Sequence, residues 1–232
     1  MPPFIQSIYA SFGITLFFKV EFMPLSSPDP LAQLQDIRLM MSKSTRFISL
    51  SGWSGIIAGT CALIGAYLAD HKIKTYYQTD YIRGNAVPND LYLSLLSIAI
   101  SVFVAALAGA VFFTFLKSKK DQLPFWSPVS RRLLWNTFLP IAVGAVFVLS
   151  LDQARHYDFV APACLIFYGL GLLNGSKYTL GEIRYLGYAQ LLLGILNLFA
   201  PKQGLLLWAL GFGVCHIIYG FIMWWNHERS AA

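Results

Sequence analysis

LYLSLLSIAISVFVAALAGAVFFTFL, residues Leu91 to Leu116, contains no charged side chain and no proline. As an α-helix rising about 1.5 Å per residue it would reach about 39 Å, against a hydrocarbon layer of about 30 Å, so a membrane crossing is its natural reading. Working outward, apolar runs recur on both sides: Ile48 to Ala69, then Leu133 to Leu151, Phe159 to Leu173, Leu180 to Ala200 and Gly204 to Trp225. Inside lipid the backbone has no water to bond, and runs near 20 residues close their hydrogen bonds as helices. The fold class expected is all-α, an integral membrane helical bundle with about six transmembrane helices.

Composition points the same way. Of 232 residues, 56% are hydrophobic and 12% charged, about half the charged share of soluble domains. Mean hydropathy is +0.58. Aromatics at 16% suit the headgroup layer, where Trp and Tyr are favoured. The net charge of +6 sits in loops between apolar runs, so it reads as an orientation signal, and no nucleic-acid partner is expected. Cys61, Cys164 and Cys215 each lie within an apolar run, which reads as small buried thiols at helix contacts and not as a disulfide framework.

Lys19, Arg38, Lys43 and Arg46 precede the first span, and Lys117, Lys119, Lys120, Arg131 and Arg132 lie between the second and third. The opposite side holds Lys72, Lys74 and Arg83, then only Arg155 and Lys202, so both termini are expected to be cytoplasmic. The same basic loop, around Leu123-Pro124-Phe125-Trp126, suits anionic lipids at the inner face. The fourth span is short, with Pro162 near its start, Asp158 as its expected cap and Gly175 as its stop. Asn174-Gly175-Ser176 and Ala200-Pro201-Lys202 leave little chain between spans four, five and six, predicting a series of hairpins. Pro140 within span three frees the carbonyl of Asn136 and predicts a kink.

Residues 1–28 read as an N-terminal extension: Phe4 to Phe18 is too short to cross comfortably, and Met23 is the expected true start. Residues 29–47 read as an amphipathic juxtamembrane helix. Asp29 is its N-cap and Pro30 its first residue, and Leu31, Leu34, Ile37 and Met41 recur at helical spacing, with Arg38, Lys43 and Arg46 available to lipid phosphates. A plain juxtamembrane stem is the alternative. Residues 48–226 are the transmembrane domain and 227–232 a tail. In span one, Ser51, Gly55 and Gly59 form one small-residue stripe, and Ser54, Ala58, Ala62 and Ala66 another. Small stripes let helix backbones approach in lipid, and Ala105-Gly109 with Ala106-Ala110 offers a matching surface on span two. A homodimer through the same stripe ranks second.

Candidate site residues are few. Glu182 and Arg184 stand at the start of span five, where an intramembrane carboxylate would couple to a proton or substrate. Thr179 and Glu182 also fit a capping box, the plainer reading, with Arg184 snorkelling to the headgroups. His216 in span six needs a partner inside the bilayer, and Gln190 and Asn197 of span five are the expected ones. An interhelical hydrogen bond is the plain reading and a small ligand site the sharper one. On the outer side His71, Asp152, His156 and Asp158 are weak metal candidates, since His and carboxylates together take divalent ions, but Lys72, Lys74, Arg83 and Arg155 share their loops and solvated charges are the plainer reading. No phosphate loop, H-E-x-x-H, G-x-S-x-G or dinucleotide turn is present, so no cofactor is expected and catalysis is the weakest of the function classes.

Leu34-Gln35-Asp36-Ile37-Arg38 followed by Ser44-Thr45-Arg46-Phe47-Ile48-Ser49-Leu50-Ser51-Gly52 resembles small uncharacterised multi-pass membrane proteins of bacteria. The resemblance covers the stem and first span, implies a bacterial inner membrane, and carries no activity or site residue. The function expected first is a non-enzymatic sensing, scaffolding or regulatory membrane component. A small-solute or ion transporter is second, although no repeat relates spans one to three to spans four to six, and an intramembrane enzyme third.

Overall fold

Each long apolar run closes on itself as a helix. The computed structural model describes residues 50–78, 89–122, 124 and 126–229, and the secondary structure among them is helical. The expected extension 1–28, the stem 29–47, Asp80, Arg83 and the final residues of the tail lie outside the described residues. In chain order the helices are α1 (Gly52–Tyr76), α2 (Asn89–Lys120), α3 (Pro128–Gln153), α4 (Val160–Gly175) and α5 (Glu182–Phe199). The sixth rod has three pieces: α6 (Gly204–Trp208), a π-helical segment (Ala209–Cys215) and α7 (His216–His227). Five of the six rods are long and apolar enough to cross a membrane. The shortfall is α5, whose 18 residues include Glu182, Arg184, Gln190 and Asn197.

The chain alternates direction, so two ends can be distinguished. The start of α1, the end of α2, the start of α3, the end of α4, the start of α5 and the end of α7 share the basic end. Along their lengths α1 packs against both α2 and α7, α4 packs against α3 and α5, and the sixth rod sits between α1 and the α4–α5 pair. The edge helices are barely covered: no residue in the 18-residue apolar window of α2 is buried, and 6% of that of α3. Their outward side chains are large and apolar, such as Phe103, Trp135, Phe138 and Val146.

Glycine decides where helices approach. A Cβ on Gly55 would stand 3.1 Å from the carbonyl oxygen of His216, and one on Gly59 would stand 2.6 Å from that of Gly213. The stripe Ser51, Gly55, Gly59 therefore packs against the sixth rod and not span two, because two glycine-bearing helices can touch backbone to backbone. The α1–α2 contact uses Gly65 against Val102 and Gly109 against Ile57 instead.

Helix α3 begins with a box that suits its sequence: Ser127 accepts from the Ser130 amide, the Ser130 hydroxyl accepts from the Ser127 amide, and Pro128 occupies the first turn. Pro140 lies inside α3, which continues through it. The Asn136 carbonyl that Pro140 leaves without an amide accepts instead from the Asn174 side chain of α4 at 3.0 Å. Two expected caps do not form. Asp158 lies in a 3-10 turn, Tyr157–Phe159, and the N-cap of α4 is Phe159 without a side-chain bond. Gly181 and not Thr179 is the N-cap of α5, because Thr179 is extended and wholly buried ahead of the helix.

Candidate functional site

The π segment is the origin of the site. A π turn bonds i to i+5 and widens the helix, a feature that recurs at functional positions. Its residues include Gly211 and Gly213, both buried; a Cβ on Gly213 would collide with Leu63 of α1, and one on Gly211 with Leu165 of α4 and with the Gln190 amide oxygen of α5. Three neighbours therefore press on this one turn.

The carbonyl of Gly211 gathers the polar side chains. Gln190 Nε2 donates to it at 2.7 Å, and His216 Nδ1 lies 3.1 Å from it. A carbonyl only accepts, so Nδ1 carries the proton, and Nε2 accepts from the Tyr168 hydroxyl of α4 at 2.8 Å. One neutral tautomer thus satisfies both ring nitrogens. Gln190 Nε2 and His216 Nδ1 are 3.5 Å apart and both donate, so they share an acceptor and do not bond each other. Rings close the remaining faces: Phe212 stacks on His216 with centroids 5.9 Å apart and planes 11° apart, and Tyr168 lies 4.9 Å from Phe212. Gln190 is fully buried and His216 is 6% exposed.

Of the five residues the sequence proposed for this region, the structure brings His216 and Gln190 together. Asn197 is fully buried too, but it donates to the Gly204 carbonyl at 3.2 Å and braces the turn between α5 and α6. Glu182 accepts from or pairs with His227 Nε2 at 3.0 Å at the basic end. Arg184 is exposed, with its guanidinium 5.6 Å from the Tyr185 ring. Tyr168 was not anticipated; its position on α4 says only that an aromatic lies in an apolar run. Among the described residues, Gln190 Oε1, Asn197 Oδ1 and the Tyr219 hydroxyl are buried without a hydrogen-bond partner.

A second polar group ties the basic end. Glu228 Oε1 accepts from the Gly52 amide at 2.7 Å, capping α1 from the far terminus of the bundle, and pairs with Lys117 of α2 at 3.2 Å. Lys117 also donates to the Leu50 carbonyl at 2.8 Å. At the opposite end Asp152 accepts from the Tyr92 hydroxyl at 3.0 Å, His156 meets Phe159 edge-on, Asp158 occupies its 3-10 turn, and His71 is exposed on α1. Among the described residues no three His, Cys, Asp or Glu side chains are grouped to hold a metal ion. An apolar cleft of about 470 Å³ opens at this end between Phe147, Phe159, Phe167 and Leu198, with His156 on its wall.

Compared with models of known protein families, with curated proteins and with solved structures, the chain matches none.

Proposed function

We propose that the chain is a six-crossing protein of a bacterial inner membrane with both termini cytoplasmic, and that it is a non-enzymatic sensing, scaffolding or regulatory component whose working part is the sixth rod at His216. The observation that carries this reading is the wiring of one ionisable side chain. His216 is buried, bonded to α4 through Tyr168, and shares the Gly211 carbonyl with Gln190 of α5. A change of state at that imidazole is felt on three rods at once. Orientation is supported by the Lys and Arg counts, and anionic lipid at the inner face by Lys119, Lys120, Arg131 and Arg132.

The test is complementation. In cells lacking the chain, the variant His216→Gln, checked for unchanged abundance and thermal stability, is expected to reproduce the deletion phenotype; full complementation by that variant removes the reading. A small-solute carrier is the second reading, favoured by the interruption of the sixth rod near its middle, as broken helices mark carrier binding sites. Solute counterflow in proteoliposomes that is lost with Gln190→Leu would decide for it. Reporter fusions at each terminus test the orientation, with a periplasmic reporter active at either end as the contrary result.

A further inference from the structure

At the basic end the start of α1, the end of α2 and the end of α7 enclose a pocket of about 190 Å³. Part of its charge is already settled: Lys117 and Glu228 line it, 3.2 Å apart and only 12% and 17% exposed, and cancel each other. The rest is not. Lys120 and Asp121 lie three and four residues beyond Lys117, on the same face of α2, and both line the pocket while staying exposed. Among the described residues neither has an ion-pair partner. Gln122 then takes a φ of 53° and ends the helix, which leaves Asp121 at the rim. One ammonium and one carboxylate therefore stand side by side at the mouth.

Two further features point to a ligand. Ser51 lines the same pocket and is 3% exposed, yet its hydroxyl makes no capping bond to α1, while Glu228 Oε1 takes the Gly52 amide and the Ser51 carbonyl takes that of Ser54. A buried hydroxyl without a partner is costly, and an anionic oxygen at the start of a helix would receive it. The remaining wall is apolar, formed by Trp53, Phe113 and Leu116. Phe113 and Leu116 precede the lysines on α2 and lie on the membrane side of them, so the pocket is polar toward water and greasy toward lipid. We propose that it holds one zwitterionic phospholipid of the phosphatidylethanolamine type. The phosphate meets Lys120, the Ser51 hydroxyl and the positive start of α1, the ammonium meets Asp121, and the top of an acyl chain lies over Trp53, Phe113 and Leu116. This goes beyond the reading of His216 and rests only on the placement in a membrane.

The charge at the mouth selects the head. With Lys117 and Glu228 paired, one positive and one negative group remain, and a phosphate with a primary ammonium presents the complement of both. A phosphatidylglycerol head brings the phosphate but sets nothing against Asp121, whose carboxylate then faces an anion. A phosphatidylcholine head brings a positive group with no N–H to donate. His227 lines the pocket as well, but its Nε2 is engaged by Glu182 at 3.0 Å. The occupant would touch α1 and α2 beside the carboxylate that ties them to α7, so its binding adds to the cohesion of that end.

The experiment uses the full chain, delipidated in mild detergent and titrated with dioleoyl phosphatidylethanolamine, phosphatidylcholine or phosphatidylglycerol. Native mass spectrometry counts the bound lipids, and thermal melting is the second readout. One phosphatidylethanolamine is expected to bind about tenfold more tightly than either other lipid and to raise the melting temperature. Asp121→Asn is expected to abolish that preference with phosphatidylcholine binding unchanged, and Lys120→Gln to weaken all three lipids. Both side chains are exposed and outside the Glu228 clasp, so the lipid-free variants are expected to melt with the parent chain. Phosphoethanolamine without acyl chains is the soluble source of the same head and is expected not to displace the lipid. Equal binding of the three lipids, a preference for phosphatidylglycerol, a preference that survives in both variants, or displacement by free phosphoethanolamine overturns the proposal. None of these results touches complementation by His216→Gln, and loss of that reading leaves the lipid titration intact, so the two can fail separately.

Discussion

At the residue scale the bundle depends on a few atoms that have no substitute. Pro140 removes the amide that would satisfy the Asn136 carbonyl, and Asn174 supplies the missing donor from another helix. Asn174→Ala is expected to cost about 1 kcal/mol by leaving that part-buried carbonyl unpaired. The cost should shrink toward zero in a Pro140→Ala background, where the restored amide bonds the carbonyl within α3; equal cost in both backgrounds, by thermal unfolding in nanodiscs, would refute the pairing. Glycine offers a second contrast. A Cβ on Gly220 would stand 2.5 Å from the Gly52 carbonyl and 2.6 Å from the Ile56 amide, whereas one on Gly181 would meet nothing within 4 Å. Gly220→Ala should therefore destabilise by about 1–3 kcal/mol through overpacking. Gly181, whose φ of −64° any residue adopts, should accept Ala with no loss or a gain of up to about 1 kcal/mol.

At the scale of elements, the basic end works as a clasp. Glu228, at the end of α7, caps the first turn of α1 and holds Lys117 of α2, so three helices share one carboxylate oxygen. The Lys117 and Glu228 side chains are only 12% and 17% exposed, so screening by salt is weaker than for a surface pair. Glu228→Ala is expected to cost about 1–2 kcal/mol from the lost cap alone. Lys117→Met with Glu228→Ala should be less damaging than the sum of the two, with a coupling on the order of 1 kcal/mol, because the single carboxylate deletion leaves the ammonium without its counter-charge. Additive losses in the thermal melts would mean that the clasp carries no coupled energy.

On the scale of the whole molecule, the core is polar and glycine-rich, and the outside is greasy. Gln190, Asn197 and Thr179 are fully buried, whereas Phe103 is 62% exposed on α2 and Val146 68% exposed on α3. That inversion is what a lipid solvent demands, since apolar side chains gain nothing by hiding from hydrocarbon while polar ones must find partners inside. Phe103→Ala should change thermal stability by no more than about 0.5 kcal/mol. Phe103→Lys, in the middle of α2, should raise the insertion free energy by about 2.5–3.5 kcal/mol and lower membrane-integrated yield. Equal yields of the two variants in a membrane-fraction assay would count against a lipid-facing α2.

Run length and charge spacing were enough to reveal an all-helical chain with several apolar rods, because backbone closure in an apolar stretch is a local affair. They also singled out His216 and Gln190, as polar groups in apolar runs always need an explanation. Other matters were beyond local reading. Tyr168, the Asn174 bond and the Glu228 cap join residues 38 to 176 positions apart, and no periodicity records such pairs. The sequence matched the glycine stripe of α1 to span two, with a second copy ranked after it, whereas three-dimensional packing set it against the sixth rod. Sequence alone decided that these segments would be helices; the tertiary structure decided which of them meet and which polar atoms they share, because partners distant in the chain are chosen by shape and by the need to satisfy every buried donor and acceptor.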